Sequence, residues 1–320
     1  MTHHLSRREF GTLVTVGAVA GCVTHPLAFA QRAPAGIVTA ADIIARIKQN
    51  IGVEWKAETV DSVKAGDPSV RVTGVATTAM ATLGVLQQAV KSGANMVITF
   101  EPTFYSRADA PTPPAGRGGG RGAAGAPANQ PAAPRPADLV FAAKNDFIAR
   151  NNLIIFRLSD HWRARTPDPL AQGLANTLGW SKYQAGGGDA RRFDVPASSL
   201  EALAAAIKKA LQSRGGIRVI GDPQARVQRV ALLPGSIPIQ ASLETLPTVD
   251  VIVAGEIREW ESSEYTRDAI FAGQRKGLIV LGRAVSEEPG MALCADWLET
   301  VVTEVPVRHI SAGDLYWRPA

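Results

Sequence analysis

The stretch Met96–Tyr105 reads MVITFEPTFY. It begins with apolar and β-branched residues, and this run stops at Glu101-Pro102. A short apolar run that ends at a proline is typical of a buried strand that leads into a loop. In open α/β sheets ligands bind outside the carboxyl ends of the strands, so Glu101 is a candidate site residue.

Three further segments repeat this pattern of an apolar strand followed by charged residues. They are LIIFRL (Leu153–Leu158) before Ser159-Asp160-His161-Trp162, VDVIVAG (Val249–Gly255) before Glu256, and GLIVLG (Gly277–Gly282) before Arg283 and Glu287. Packing alone does not explain why four buried strands end in acid-rich clusters. We therefore interpret these strand ends as parts of one site.

Strand and helix patterns alternate along the chain, without heptads or a repeat of fixed period. Val70–Thr77 alternates like a strand, and Thr78 is the predicted cap of the helix that precedes the strand at Met96. Such strand–helix–strand units are typical of parallel sheets. The sequence predicts an α/β fold with an N-terminal lobe at 37–185 and a C-terminal lobe at 186–320.

Residues 1–30 have the features of a twin-arginine signal peptide. Ser6-Arg7-Arg8-Glu9-Phe10 precedes an apolar stretch, and Ala28-Phe29-Ala30 is a small-x-small cleavage site. The apolar stretch is too short for a membrane-spanning helix. These features predict export to the periplasm, with residues 31–36 as a linker. The alternative is a lipoprotein that carries its lipid anchor on Cys22.

Residues 110–136 form an insert rich in Ala, Gly and Pro that contains no acidic residue. Such a composition cannot bury enough apolar surface to offset the entropy lost on ordering. We therefore expect a disordered loop at this position.

The formal net charge of the chain is +5, which on its own would favour a nucleic-acid partner. Residues 1–30 contribute Arg7, Arg8 and Glu9. Four more arginines lie in the linker and the insert: Arg32, Arg117, Arg121 and Arg135. Without these segments the charges balance, so we expect no nucleic-acid partner.

His161 and His309 are the only histidines after residue 30, and Cys294 is the only cysteine there. These numbers exclude a zinc site made mainly of histidine or cysteine. Any metal would be held mainly by carboxylates, which suit Mg²⁺, Mn²⁺ or Fe²⁺.

Each candidate ligand also has a structural explanation. Glu101 could cap a helix or pair with an arginine, and Asp160-His161 could form a turn followed by a packed His-Trp pair. Ser286-Glu287-Glu288-Pro289 is also how a helix begins. Glu256 follows a buried strand directly, although it also suits a solvated helix face.

Several of these segments resemble a known family. ANMVITFEPTFY resembles the threonine-histidine-histidine-proline or threonine-histidine-glutamate-proline segment of the Nif-three-like dinuclear metal-centre hexameric proteins, also described as GTP cyclohydrolase I type 2-like. LGRAVSEE resembles the C-terminal metal motif of that family, and IIFRLSDHW, VIVAGEIREWE and HISAGDLYW are also similar to it. The resemblance covers Ile37 to the C-terminus, interrupted by the insert.

The resemblance implies two α/β lobes with mixed sheets flanked by helices, a toroidal homohexamer and a two-metal site that faces an internal cavity. Glu101 matches a metal-binding position of the first motif, and Glu287 matches the final bridging glutamate. Asp160 or His161 lies near the middle ligand. The resemblance therefore implies these four side chains as metal ligands.

The chain departs from the family at three positions, because Phe100, Ser159 and Arg283 stand where the family has histidines. Arg283 lies four residues before Glu287, within reach of the same carboxylates. A guanidinium is always charged, so we expect Arg283 to supply the positive charge of one cation. We expect at most one tightly bound divalent metal per subunit: Mn, Fe, Mg or Zn.

Two functional hypotheses follow. The first is an exported metal-dependent hydrolase that acts on an unidentified small molecule, because a bound divalent cation lowers the pKa of a water molecule. Glu256 or Asp160 would be its general base. The alternative is a non-catalytic binding or scaffold protein whose metal site is degenerate.

Overall fold

The computed structural model describes residues 37–106, 109, 138–186, 188–213, 215–317 and 319. The predicted signal peptide with Cys22, the predicted linker and the insert at 110–136 lie outside these residues. None of the helices that the structure describes has the length and the apolar character needed to cross a membrane.

Strands and helices alternate through the described residues, which confirms the predicted α/β class. The strands are β1 (Val63–Ala65), β2 (Val75–Thr78), β3 (Met96–Thr99), β4 (Ile154–Arg157), β5 (Arg192–Ser199), β6 (Arg218–Ile220), β7 (Arg226–Ser236), β8 (Val251–Glu256), β9 (Gly277–Val280) and β10 (Val307–His309). The α-helices are α1 (Ala40–Asn50), α2 (Leu83–Lys91), α3 (Leu139–Arg150), α4 (Asp160–Arg163), α5 (Pro169–Thr177), α6 (Leu200–Ala210), α7 (Ile239–Thr245), α8 (Glu264–Phe271) and α9 (Arg283–Val301).

The strands form two mixed sheets of similar design. The first has the order β1-β4-β3-β2-β10 and the second the order β5-β7-β8-β9-β6. In each sheet the central strands are parallel, and antiparallel pairing occurs at the edges, at β1 in the first sheet and at β5 and β6 in the second. Every residue of β2, β3, β4 and β9 is buried, which explains their continuous apolar runs.

The last strand returns to the first sheet. The predicted boundary at residue 186 assigns the whole C-terminal part to one lobe, but β10 pairs in parallel with β2. Helix α9 makes this crossover possible, because it follows β9 and packs against β2, β7 and β8. A parallel neighbour needs such a crossover connection. The division at 186 therefore describes the second sheet but not the segment after α9.

Two helix starts differ from the sequence prediction. Thr82, not Thr78, caps α2, since its hydroxyl accepts a hydrogen bond from the Val85 N–H at 3.2 Å. Thr78 instead ends β2, where it pairs with Thr99.

Helix α9 begins at Arg283, although the sequence predicts a helix start at Ser286-Glu287-Glu288-Pro289. Gly282 has φ +99°, a conformation that glycine adopts without strain, and it connects β9 directly to the helix. Pro289 lies inside the helix. Arg283 and Glu287 are therefore one turn apart on the same helix rather than in a loop.

Helices α5 and α9 approach each other at two glycines. A Cβ added at Gly173 would lie 2.4 Å from the carbonyl oxygen of Pro289, and one at Gly290 would lie 2.6 Å from the Cα of Leu170. Both obstacles are backbone atoms, so the helices would have to separate to admit a methyl group. This contact fixes α9, and with it Arg283 and Glu287, against the rest of the molecule.

We expect Gly173→Ala to lower the free energy of unfolding by about 1–3 kcal/mol, as for an overpacked core position. The matched control is Gly84→Ala in α2, where the nearest atom to an added Cβ is 3.8 Å away. This control should stabilise the protein by about 0.5–1 kcal/mol. Urea unfolding of both variants tests the contact, and equal effects on stability would contradict it.

Candidate functional site

The carboxyl ends of the central strands of both sheets surround one cavity of about 950 Å³. Four predicted site residues line it: Glu101 after β3, Asp160 after β4, Glu256 at the end of β8 and Arg283 after β9. His161 and Glu287 are not among its lining residues. A cavity of this size can enclose a small molecule.

Arg283 is the centre of the charged groups in this cavity. Its Nε and Nη2 both donate to Oε1 of Glu101, at 2.9 and 2.6 Å. Its Nε also lies 3.5 Å from Oε1 of Glu287, and its Nη1 lies 3.7 Å from Oε2 of Glu256. Burial alone would lower the pKa of Arg283, but the Glu101 and Glu287 carboxylates raise it. One guanidinium thus faces three carboxylates.

Glu101 is held where β3 ends. Its backbone N–H donates to the carbonyl of Ala79 at 2.8 Å, and its own carbonyl accepts from the Thr99 hydroxyl at 3.1 Å. The residue is buried. Its pairing with Arg283 matches the structural explanation considered for it, a carboxylate that pairs with an arginine.

Glu287 is completely buried beneath Arg283, and neither of its carboxylate oxygens has a hydrogen-bond partner in the described structure. Its nearest other cation is Arg163, whose Nη2 lies 3.8 Å from Oε1. Burial and the nearby Glu101 carboxylate raise the pKa of Glu287 well above its usual value, and the attraction of Arg283 and Arg163 offsets this only in part. The environment therefore favours the protonated acid.

Gly235 supplies the space for this buried carboxyl. It has φ +82°, and a Cβ there would lie 2.6 Å from Oε1 of Glu287 and 2.7 Å from Nη2 of Arg163. Its N–H donates to the Ser286 hydroxyl at 2.9 Å, which joins the end of β7 to α9. A side chain at this position would displace the acid.

His161 lies outside the cavity and was predicted as a metal ligand. Its Nδ1 is 2.7 Å from Oδ2 of Asp61, and its Nε2 accepts from the Lys56 N–H at 2.9 Å, which assigns the proton to Nδ1. The ring stacks on Trp55 with centroids 3.8 Å apart. Both ring nitrogens are engaged, so this geometry does not fit a ligand role; the packing partner is Trp55 rather than the neighbouring Trp162.

The sequence did not indicate Asp61 as a site residue, because it lies in an irregular segment without a recognisable motif. It is buried, and its carboxylate accepts from the N–H groups of Ser159, Asp160 and His161 at the start of α4. It therefore holds the strand end that was predicted to carry ligands.

Asp160 and Glu256, the predicted general bases, both line the cavity. Oδ2 of Asp160 accepts from the Thr59 hydroxyl at 2.8 Å and from the Val60 N–H at 3.1 Å. Burial alone would raise the pKa of Asp160, but these two hydrogen bonds and the charge of Arg157 together lower it. Asp160 is therefore a poor proton acceptor. The other predicted base, Glu256, has a side chain that is 54% exposed to solvent.

Another group of cavity residues was also missed: Thr103, Tyr105, Ser106, Lys144 and Arg157. The sequence pattern does indicate one of them, Lys144. Lys144 lies on the same face of α3 as Phe141 and Ile148, and all three are buried. A lysine at helical spacing within an apolar face indicates a charge that points inward.

The donor set does not fit the dinuclear metal centre that the resemblance implies. Among the described residues, no three His, Cys, Asp or Glu side chains are grouped closely enough to hold a metal ion. Glu101 and Glu287 remain near each other, but the Arg283 guanidinium lies against both. Phe100, at the position of a family histidine, is buried and offers no ligand atom.

The family model described as Duf34/NIF3 (NGG1p interacting factor 3) matches residues 147–312. A comparison with curated proteins gave no match. Among solved structures, the hypothetical protein SA1388 from Staphylococcus aureus is 15% identical with a TM-score of 0.63, covering 89% of this chain and 100% of its own. A Bacillus cereus protein related to NIF3 is 14% identical with a TM-score of 0.62, covering 88% and 100%.

Reduced HcgD from Methanocaldococcus jannaschii is 13% identical with a TM-score of 0.57, covering 86% of this chain and 98% of its own. Because these identities are low, the three matches show only that this chain shares their fold.

The raised pKa of Glu287 predicts a dependence of stability on pH. Because the folded state holds a proton that the unfolded chain releases, the free energy of unfolding should fall as pH rises above the usual glutamate pKa, by at most about 1.4 kcal/mol per pH unit. Glu287→Gln should remove this slope, whereas Glu299→Gln, at an exposed position of α9, should keep it. Urea unfolding from mildly acidic to neutral pH measures it, and an unchanged slope in Glu287→Gln would argue against the buried acid.

Proposed function

Because this chain belongs to the Duf34/NIF3 family, we propose that it is a binding protein of that family whose cavity takes a small polar molecule without a dinuclear metal centre. One observation carries this proposal. The Arg283 guanidinium lies within 4 Å of three carboxylates, so it supplies the positive charge that the acids of the cavity require.

Electrostatics support the replacement of a cation by Arg283. Two divalent cations close together need enough negative ligands to offset their repulsion, and Glu101 already shares its Oε1 between two N–H groups of Arg283. A guanidinium also presents several donors in a fixed plane, which suits clustered carboxylates. A proton on Glu287 would remove the charge of this buried acid without any metal.

A metal-dependent hydrolase is the other function that the resemblance implies. Such an enzyme activates water on a bound cation, and the donor set described above does not fit that role. The low pKa of Asp160 also weakens it as a general base. For these reasons we favour binding over hydrolysis.

The lining of the cavity supports a ligand with both polar and apolar parts. Met80, Leu83 and Ile237 contribute apolar surface. Arg258 and Glu261 form an ion pair of 2.8 Å and also line the cavity. On the basis of the predicted twin-arginine signal, we propose that this binding takes place in the periplasm.

Metal content tests the proposal. Elemental mass spectrometry of the unmodified protein should find no more than one tightly bound divalent metal per subunit, because Arg283 occupies part of the site. The double variant Phe100→His with Arg283→His restores two imidazoles and should bind more metal. Arg258→His is the matched control, since it adds an imidazole in the same cavity away from Glu287, and it should not. Two tightly bound metals in the unmodified protein would refute the proposal.

We also propose that the protein assembles into the homohexamer that the family resemblance implies. The family resemblance carries this proposal, and the described chain also exposes several large apolar side chains, among them Leu139, Trp260 and Phe271. Light scattering of the mature protein should give a mass of six subunits. A clean monomer at micromolar concentration would count against this assembly.

A further inference from the structure

We infer that the wall of the cavity beside α3 is an anion subsite, in which Lys144, Thr103 and Ser106 bind the phosphate group of an organic ligand. This inference rests on the proposed function, because it names the class of ligand for the same cavity. Three side chains that line this wall carry it: an ammonium group and two hydroxyl groups.

Lys144 is a buried cation without a matching anion. The residue is 3% exposed, and its Nζ donates to the carbonyl oxygen of Thr103 at 2.5 Å. Among the described residues Lys144 forms no ion pair with a carboxylate. The rings of Phe104 and Tyr105 lie 5.9 and 5.1 Å from Nζ and add only weak attraction. A buried charge is costly unless it is paired, so an anionic ligand would complete this site.

Asp109 is the acidic residue whose charge acts on Lys144. Its Oδ1 accepts from the N–H groups of Thr103 and Phe104 at 2.6 and 2.8 Å, so it holds the loop after β3. It forms no ion pair with Lys144 within 4 Å, and it does not line the cavity. Asp109 therefore attracts the ammonium without forming an ion pair with it, and Lys144 lines the cavity.

Two hydroxyl groups of the same wall also lack partners. Oγ1 of Thr103 and Oγ of Ser106 are buried, and neither has a hydrogen-bond partner in the described structure. Buried hydroxyls in proteins are almost always hydrogen-bonded, so unpartnered ones indicate a missing partner. Each hydroxyl can donate one hydrogen bond, and an ammonium can donate three.

A phosphate group matches this set of donors better than a carboxylate or a metal cation does. It offers three terminal oxygens as acceptors and carries a charge of about −1.5 to −2 near neutral pH. A metal cation would be repelled by the ammonium. Arg157 is buried and also lines the cavity, and its Nε donates to the carbonyl oxygen of Phe100 at 3.3 Å. A carboxylate has the right sign but one acceptor oxygen fewer.

Binding at this subsite should also depend on pH. Burial lowers the pKa of Lys144 to about 8, and Asp109 opposes this shift. Arg157 and Lys64 are the other cations near this wall, and Tyr105 faces the ammonium directly. An anion favours the charged ammonium, so binding should raise the pKa of Lys144 and take up protons. Affinity should fall as pH rises above about 8.

Titration calorimetry with phenyl phosphate tests the subsite, using the full-length protein after treatment with EDTA. Lys144→Met should weaken binding about tenfold to a hundredfold, the range for losing a hydrogen bond to a charged group. Lys208→Met, at an exposed position of α6, should bind like the unmodified protein. Succinate should bind more weakly than phenyl phosphate.

The variant Thr103→Val distinguishes a binding role of the Thr103 hydroxyl from a structural role. Because its hydroxyl has no partner in the unliganded protein, the variant should be as stable as the parent or more so, yet bind phenyl phosphate several-fold more weakly. Ser106→Ala should behave alike, and it carries the test if Lys144→Met does not fold.

The outcomes separate this inference from the proposed function. If phenyl phosphate binds equally well to Lys144→Met and to its parent, or does not bind at all, the subsite is refuted while the metal count still decides the proposed function. If the protein binds phenyl phosphate before EDTA treatment and EDTA abolishes this binding, a metal holds the phosphate and the subsite is refuted, whereas the metal count still decides the proposed function.

Discussion

The contact of Arg283 with Glu101, Glu256 and Glu287 is the interaction on which the site depends. These acids come from both sheets and from α9, and without a cation among them they would repel one another. Glu101 and Glu287 are also buried, where repulsion between like charges is screened least. The Arg283 guanidinium, the more distant Arg163 and a proton on Glu287 reduce this repulsion with the chain's own atoms. This neutralisation allows the carboxyl ends of both sheets to meet around one cavity.

Helix α9 connects this contact to both sheets of the fold. It begins at Arg283 directly after β9, carries Glu287 one turn later and then leads to β10 in the other sheet. Close approach to α5 at Gly173 and the absence of a side chain at Gly235 fix where it lies. Any shift of α9 would move the cation and the buried acid together. Packing and electrostatics are therefore coupled at this helix.

Much of this arrangement could be predicted from the sequence, because buried parallel strands have a strong signature. The apolar runs before Glu101, Asp160, Glu256 and Arg283 located four strand ends, and the topology of parallel sheets brings such ends together. The return of β10 could not be predicted, since a short strand has the same pattern in either sheet. The start of α9 was wrong because a proline normally marks a first turn, whereas Pro289 lies inside the helix.

The roles of single side chains were harder to predict than their positions. His161 carries the composition of a ligand, but Asp61 and Lys56 engage both its nitrogens, and neither is near it in sequence. Glu287 could be explained as a helix start, and only the tertiary structure buries it completely. For Lys144 the sequence does indicate burial, because it lies at helical spacing within the apolar face of α3.

A double-mutant cycle between Glu101 and Arg283 tests the central claim most directly. Glu101→Gln, Arg283→Met and the double variant are compared with the parent by urea unfolding at neutral pH, with the exposed pair Arg218 and Glu259 as a reference cycle. If the guanidinium neutralises the buried acids, the coupling energy should be about 1–3 kcal/mol and larger than in the reference cycle. A coupling within about 0.3 kcal/mol of zero would contradict the account.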